Sequence, residues 1–206
     1  MSDYPPPKSP ELAAFVHRML ELQEVLNEDT AESLELFEFA SPDFCTRTMV
    51  RTLSAEIEAR IYLLEQFLVG LHEVSPEIFK ISADELQVLK SQSVSLKSNG
   101  EITVAVRFFP FRERLLFVLK LASRVLNPAA KPDTYCMSWD SVKEFVEIRN
   151  RLTHPKKLKD MHITDEEIDH LNRAQTWIRN SFSALFTAGS YDERLKAYIA
   201  KHRDKA

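Results

Sequence analysis

Glycine is scarce in this sequence. Only Gly70, Gly100 and Gly189 occur among 206 residues, whereas a G-x-G-x-x-G turn or a Walker loop needs several closely spaced glycines to approach a phosphate. The sequence therefore excludes the two commonest nucleotide-binding motifs. It also lacks a G-x-S-x-G stretch, the strand-turn-helix context in which a serine nucleophile is commonly held.

Cysteine and long apolar runs are also rare. Cys45 and Cys136 are far apart and neither belongs to a C-x-x-C pair, which argues against a zinc site and against a disulfide scaffold. The N-terminus has no apolar segment typical of a signal peptide, and the most apolar run, residues 115–126, is interrupted by Lys120 and Arg124. We therefore expect a cytoplasmic protein that does not cross a membrane.

The chain has no excess of positive charge. It carries 27 lysine and arginine residues against 31 acidic residues, which gives a formal net charge of −4. A protein that binds nucleic acid over its whole surface is usually basic, so any nucleic-acid site is predicted to be local. The length and the 44% hydrophobic content are sufficient for one core.

Helix-start signals are frequent. Three Ser-Pro pairs, each followed by an acidic residue, combine a capping hydroxyl, a first-turn proline and a favourable negative charge. They begin at Ser9, Ser41 and Ser75. Three S/T-x-x-E boxes, which satisfy two unpaired backbone amides, begin at Ser82, Thr164 and Ser190. Six helix starts in this length predict an all-α protein.

Four segments repeat apolar residues at intervals of three and four, the spacing of amphipathic helices. They are residues 42 to about 72, 111–126, about 141–153, and 165–188. Gly189 stands where the C-terminal cap of the last helix is expected. We predict an N-terminal helical extension, residues 1–40, and a helical domain, residues 41–206.

One segment, about residues 93–108, alternates apolar and polar residues in the pattern of a β-hairpin. A three-residue loop with Gly100 in the left-handed region pairs Val94 with Val104, whereas a two-residue turn would shift the register. We favour the three-residue loop. Because an isolated hairpin is marginally stable, this one is predicted to lie on the helical bundle as a small packing appendage.

Aromatic residues are predicted mainly in the core. Trp139 and Trp177 have the ring size to stack on bases, but both fall at helix-face positions where packing is the expected role. Phe108, Phe109 and Phe111 are assigned to the core for the same reason.

The most chemically distinctive stretch is EIRNRLTHPKK, residues 147–157. Arg149 follows Val146 by three residues, so at 100° per residue it falls on the apolar stripe of its helix. A guanidinium there needs a partner because it keeps its proton. The predicted partner is a carboxylate of the long helix, Glu58 or Glu65, or an oxygen of a bound ligand.

His154 immediately precedes Pro155, which disfavours the α conformation, so the helix is predicted to end at His154. Its imidazole would lie among the unpaired carbonyls of the last turn, and Asn150, one turn earlier, would orient the ring. Four basic residues surround this helix end and are predicted to bind phosphates. They are Arg151, Lys156, Lys157 and Lys159.

This combination suits the cleavage of RNA. A 2′-hydroxyl can attack the adjacent phosphorus if a base removes its proton and a cation stabilises the charge that develops. His154 is predicted to act as base or acid and Arg149 to hold the phosphate. The expected product has a 2′,3′-cyclic phosphate end, and the reaction needs no metal or other cofactor.

Arg149, Asn150 and His154, followed by Pro155, resemble the R-x4-6-H motif of the HEPN superfamily, whose members are all-helical. The motif ends a helix and a tryptophan-containing helix follows, so the resemblance covers about residues 138–186. It implies a HEPN-like bundle and a metal-independent endoribonuclease for single-stranded RNA, in the manner of toxins and antiphage effectors. Such proteins work as homodimers whose motifs face each other.

The resemblance implies that Arg149 and His154 are catalytic and that Asn150 supports them. Toxins of this family are commonly encoded beside a nucleotidyltransferase-like antitoxin, which would be a further partner. Many HEPN proteins bind without catalysing, so a non-catalytic RNA-binding or protein-interaction module stays open as the alternative.

A metal site is a third interpretation. His162, Asp165, Glu166 and His170 are close in sequence, and the last two are four residues apart on one helical face. The acidic residues are also what the first turn of a capped helix favours. We therefore predict no metal site here.

Overall fold

The structure is a computed structural model that describes residues 10–187. Within that range the chain forms six α-helices and one β-hairpin, as the mostly helical prediction required. The helices are α1 (Pro10–Glu35), α2 (Pro42–Val74), α3 (Ala83–Leu89), α4 (Phe111–Leu126), α5 (Met137–Thr153) and α6 (Asp165–Leu185). The strands are β1 (Gln92–Leu96) and β2 (Ile102–Val106), and short 3-10 helices span Leu36–Glu38 and Leu158–Met161.

The four predicted amphipathic helices correspond to α2, α4, α5 and α6. The main difference is in α5, which begins one turn earlier than predicted, at Met137. The predicted cap at Gly189 and the box at Ser190 lie outside the described residues. In the part of the chain that the structure describes, no helix combines the length and apolar character needed to span a bilayer.

One core lies between α2, α4, α5 and α6. Each helix turns its apolar stripe inward, so that Ile57 and Leu68 of α2, Leu119 of α4, Phe145 of α5 and Ile178 of α6 are almost completely buried. Burial of apolar surface is the main stabilising term for such a bundle. This packing places the C-terminal end of α5 at the surface, beside α2.

A tryptophan pair closes the core between α5 and α6. Trp139 and Trp177 are both buried, and their ring centroids are 5.0 Å apart. The Trp177 indole nitrogen donates a hydrogen bond to the Asp133 carbonyl oxygen at 3.0 Å. The packing role predicted for both tryptophans is confirmed, and neither ring is exposed for stacking on a base.

A buried carboxylate joins α1 to the bundle. The side chain of Glu56 on α2 is 2% exposed and accepts hydrogen bonds from Thr30 of α1 at 2.9 Å, Arg60 of α2 at 2.9 Å and Arg179 of α6 at 3.4 Å. Arg60 also donates to the side-chain oxygen of Asn27 on α1 at 2.8 Å. The predicted N-terminal extension is therefore attached through a polar network as well as through packing.

Two predicted capping boxes are confirmed, and each also binds an arginine of a neighbouring helix. At the start of α3, Glu85 accepts from the Ser82 amide at 2.9 Å and from Arg124 of α4 at 2.8 Å. At the start of α6, Glu167 accepts a hydrogen bond from the Thr164 amide at 2.9 Å and forms an ion pair with Arg151 of α5 at 2.9 Å. Partial burial acts to raise the pKa of each glutamate, but the hydrogen bonds from the arginine and the backbone together outweigh it. The net effect is a lowered pKa for both glutamates.

The hairpin has the predicted register. Val94 pairs with Val104 and Leu96 with Ile102, and Gly100 has a φ of 85°, which favours glycine because side chains are strained there. The hairpin is predicted to lie on the bundle as a packing appendage, but its apolar residues face solvent instead of packing.

Two local predictions are also wrong. Ser75 begins only a single turn, in which its carbonyl accepts from the amides of Ile78 and Phe79 at 3.1 and 2.9 Å. The chain then leaves the helical path, so no helix follows until α3. Phe108, predicted in the core, is 93% exposed. Phe111 does pack against the core, as predicted.

Candidate functional site

Arg149 lies at the contact between α5 and α2. Its guanidinium pairs with the Glu58 carboxylate, one of the two acids predicted from the sequence, and donates to the Asn150 side-chain oxygen at 3.2 Å. Its central carbon lies 5.4 Å from the centroid of the Phe111 ring, within cation–π distance. The guanidinium is thus held on three sides, although 27% of the side chain is exposed.

The other predicted acid has a different partner. The Arg114 Nε atom donates a hydrogen bond to Oε1 of Glu65 at 2.7 Å, and a second nitrogen of the same guanidinium donates to the other carboxylate oxygen. Burial raises the pKa of Glu65, and the Arg114 guanidinium counteracts that effect. This ion pair joins α4 to α2 and leaves Glu58 to Arg149.

A groove of about 210 Å³ opens between α2 and α5 beside the Arg149–Glu58 pair. Arg51 lines it and brings a second guanidinium, which makes no hydrogen bond or ion pair within residues 10–187. The hydroxyls of Ser54 and Thr153 also line the groove, but both donate to backbone carbonyls of their own helices. The two arginines are therefore its main donors for an anion.

Arg51 was missed by the sequence analysis. It precedes Glu58 by seven residues, and two helical turns bring such residues to one face. Once Glu58 is taken as the partner of Arg149, this spacing places Arg51 on the same side of α2. The signal was present, but it could be used only after the partner acid was known.

His154 ends α5 as predicted. It is the C-cap residue, its amide donates to the Asn150 carbonyl at 3.0 Å, and its side chain is exposed. Within the described range its imidazole makes no hydrogen bond or ion pair. The Asn150 amide oxygen, predicted to orient the imidazole, instead binds Arg149. His154 is thus free to contact a ligand.

Arg151 is tied into the protein. Besides the Glu167 pair, it donates to the His162 carbonyl oxygen at 3.0 Å, and its Nε atom is buried without a hydrogen-bond partner among the described residues. Among the four residues predicted to bind RNA, it is the one that already forms a partly buried ion pair. Its main effect in the structure is to hold α6 against α5.

The three predicted RNA-binding lysines lie in the exposed segment after Pro155. Asp160 organises this segment, because its carboxylate accepts hydrogen bonds from the backbone amides of Lys156 and Lys157, both at 2.9 Å. The Lys156 amide is the main cause that lowers the pKa of Asp160. Lys156, Lys157 and Lys159 are all exposed to solvent.

The two histidines weighed as metal ligands have other contacts. His162 lies 3.8 Å from a carboxylate oxygen of Asp43, and the His170 ring lies 3.1 Å from the Ser141 hydroxyl. Among residues 10–187, no group of three or more histidine, cysteine or acidic side chains is arranged to hold a metal ion.

Comparisons with known proteins do not extend this description. No family model matches the chain, and no curated protein and no solved structure is significantly similar to it. The resemblance to the HEPN superfamily therefore depends on Arg149, Asn150 and His154 and on the helical context around them.

Proposed function

We propose that this protein is a metal-independent endoribonuclease of HEPN type that cleaves single-stranded RNA as a homodimer, in the manner of a toxin or antiphage effector. The observation that carries the proposal is the end of α5. There His154 follows Arg149 and is exposed, with no side-chain partner among residues 10–187, and Arg149 and Arg51 border one open groove. A nucleotidyltransferase-like antitoxin is part of the same proposal.

In this mechanism His154 removes the proton of the 2′-hydroxyl or protonates the departing 5′-oxygen. Arg149 and Arg51 stabilise the additional negative charge on the phosphate. The products carry a 2′,3′-cyclic phosphate and a 5′-hydroxyl. A flexible strand is required because a duplex holds the 2′-oxygen out of line with the scissile bond. In a homodimer, a second His154 would supply the complementary proton transfer.

The Glu58 carboxylate binds the Arg149 guanidinium in the way that an RNA phosphate would. Its side chain is 44% exposed, so solvent can reach the pair and a phosphate can compete for the same donors. The carboxylate also repels the RNA backbone across the groove. Glu58 is therefore expected to weaken RNA binding while it holds Arg149 in position.

Substitution Glu58→Gln is expected to tighten the binding of single-stranded RNA by about three- to tenfold, because one repulsive charge is removed near the surface. Fluorescence anisotropy with a labelled RNA would measure the change. The matched control is Glu73→Gln, which removes the charge of an exposed glutamate on the same helix that pairs with Lys90. Equal affinities for both variants would contradict a phosphate site at Arg149.

The lysine segment should determine how RNA binding depends on salt. Each lysine that neutralises a phosphate releases counterions, so replacing Lys156, Lys157 and Lys159 by alanine is expected to reduce the slope of log affinity against log salt by about 2 to 3. Titration at several salt concentrations would measure both slopes. An unchanged slope would place the RNA elsewhere, and a flat slope for the wild type would indicate a protein partner.

The cleavage test uses labelled single-stranded RNA in EDTA with the wild type and with Arg149→Ala and Arg149→Lys, all purified identically. We expect the wild type to cut RNA to 2′,3′-cyclic phosphate ends and to leave DNA of the same sequence intact, since DNA lacks the nucleophile. The alanine variant should be inactive, and lysine should restore little activity because it cannot form two parallel hydrogen bonds. Equal cutting by all three preparations would reveal a contaminating nuclease.

The alternative is a non-catalytic HEPN-like module that binds RNA or another protein. The pairs Arg149–Glu58 and Arg151–Glu167 favour it, because they engage two cations of the motif region within the protein. This alternative predicts salt-dependent RNA binding, or binding of a protein, without any cleavage by folded wild-type protein.

A further inference from the structure

The hairpin carries its apolar residues on one side, and that side faces solvent. The register places five aliphatic residues together there. Their exposed fractions are 48% for Val94, 73% for Leu96, 71% for Ile102, 55% for Val104 and 72% for Val106. In most two-stranded appendages the apolar side would be the one packed on the core, so the orientation of this hairpin is unusual.

The opposite side of the hairpin is small and polar, and it is covered only in part. Ser93 and Thr103 are half-buried there, whereas Ser95 and Ala105, which share that side, are exposed. The shielding that the two strands receive is therefore on their polar side. All five aliphatic residues of the other side are exposed in the part of the chain that the structure describes.

The exposed aliphatic area is large for one subunit. The five fractions amount to about three fully exposed aliphatic side chains. Together they present roughly 350 Å² of apolar surface. One side of a standard interface buries about 800 Å², of which about 56% is apolar, so this surface would supply most of the apolar part of such an interface.

The charges around this surface favour a second copy of the same chain as its occupant. Neither strand contains a charged residue, whereas charged or proline residues usually protect exposed strands from association. At the tip, Lys97 and Glu101 form an ion pair at 3.3 Å. In a two-fold interface each surface packs against an identical copy of itself. The strands are uncharged, and the tip carries one positive and one negative side chain, so two copies can pack together without repulsion between like charges.

We propose that the aliphatic side of the hairpin, formed by Val94, Leu96, Ile102, Val104 and Val106, is a homodimer interface in which two hairpins pack face to face. This contact uses a different surface from the motif-to-motif contact that the HEPN resemblance implies, and we place both contacts on one two-fold axis, so that a single dimer contains both. The hairpin contact does not depend on ribonuclease activity, because it follows from exposed area, charge and register alone.

Sedimentation equilibrium of the full chain tests the interface. The wild type is expected to approach twice the 23.8 kDa chain mass, and the triple variant with threonine at Leu96, Ile102 and Val104 is expected to dissociate at least 100-fold more readily. Threonine keeps the β preference of the strands, and circular dichroism would verify folding. The control carries threonine at Tyr135 and Leu158, two exposed apolar residues outside the hairpin, and should dimerise like the wild type.

Cross-linking tests the same contact without removing the apolar surface. In a Cys136→Ser background, Ile102→Cys is expected to form a covalent dimer with a short bis-maleimide, and Ser95→Cys on the polar side is not. A monomeric wild type, a dimer that survives the threonine variant, or equal cross-linking at both positions would overturn the proposal. A dimer lost only in Arg149→Ala would also overturn it, while leaving the proposed function intact.

Discussion

Replacing His154 by alanine is expected to slow RNA cleavage by a factor of about 10² to 10⁴, the usual contribution of a positioned general acid or base. The imidazole is exposed and has no partner within residues 10–187, so the substitution removes chemistry without removing packing. The free energy of unfolding should change by less than about 0.5 kcal/mol, as for other exposed positions.

Single-turnover cleavage assays in EDTA would measure the effect. The matched control is His162→Ala, because the His162 side chain is also exposed and lies at the far end of the same basic segment. The control should retain the wild-type rate. Equal losses in both variants would indicate a general effect on RNA binding, and a His154 variant that cleaves normally would remove the acid–base role.

Replacing Glu56 by alanine is expected to destabilise the protein by about 3 to 5 kcal/mol, because removing one member of a buried ion pair leaves the other charge uncompensated. Arg60, whose side chain is 14% exposed, would lose its carboxylate partner. Thr30 and Arg179 would lose the same acceptor. The loss should also loosen α1, which limited proteolysis would detect as faster cleavage within residues 17–35.

Urea denaturation would compare this variant with Glu73→Ala. Glu73 lies on the same helix and also has a cationic partner, but its side chain is 62% exposed. An exposed pair contributes little, so the control should lose less than about 1 kcal/mol. Similar losses for the two variants would mean that burial does not determine the importance of the Glu56 network.

The features predicted correctly from the sequence are mostly local. The left-handed turn at Gly100, the boxes at Ser82 and Thr164 and the helix end before Pro155 each depend on residues within a few positions of one another. Short-range steric and hydrogen-bonding rules determine such features. For the same reason, the position of His154 at an exposed helix end could be expected without a structure.

The features that were missed depend on distant contacts. Glu56 is 26 residues from Thr30 and 123 from Arg179, so no local pattern connects them. Glu58 and Glu65 lie two turns apart on one face of α2, and only the positions of α4 and α5 determine which arginine each one binds. The alternation in the hairpin predicts an apolar side, but it does not determine which side faces the bundle.

The turn at Ser75 shows how a tertiary contact overrides a local signal. It has the same Ser-Pro-acid sequence as Ser41, which does begin a helix. After Ser75, however, the Phe79 side chain is buried in the core, and its carbonyl oxygen lies 2.8 Å from the His72 ring nitrogen. That contact uses a carbonyl that would accept a backbone hydrogen bond if the helix continued.

Glu85 and Glu167 each make two kinds of contact, and this affects local unfolding at the starts of α3 and α6. Each glutamate caps its own helix and binds an arginine of another helix, so the first turn of α3 or α6 cannot fray without also losing an interhelical contact. Local opening there is therefore coupled to separation of whole helices. Amide protons in these first turns, which usually exchange quickly at helix ends, should instead exchange slowly and as cooperative groups.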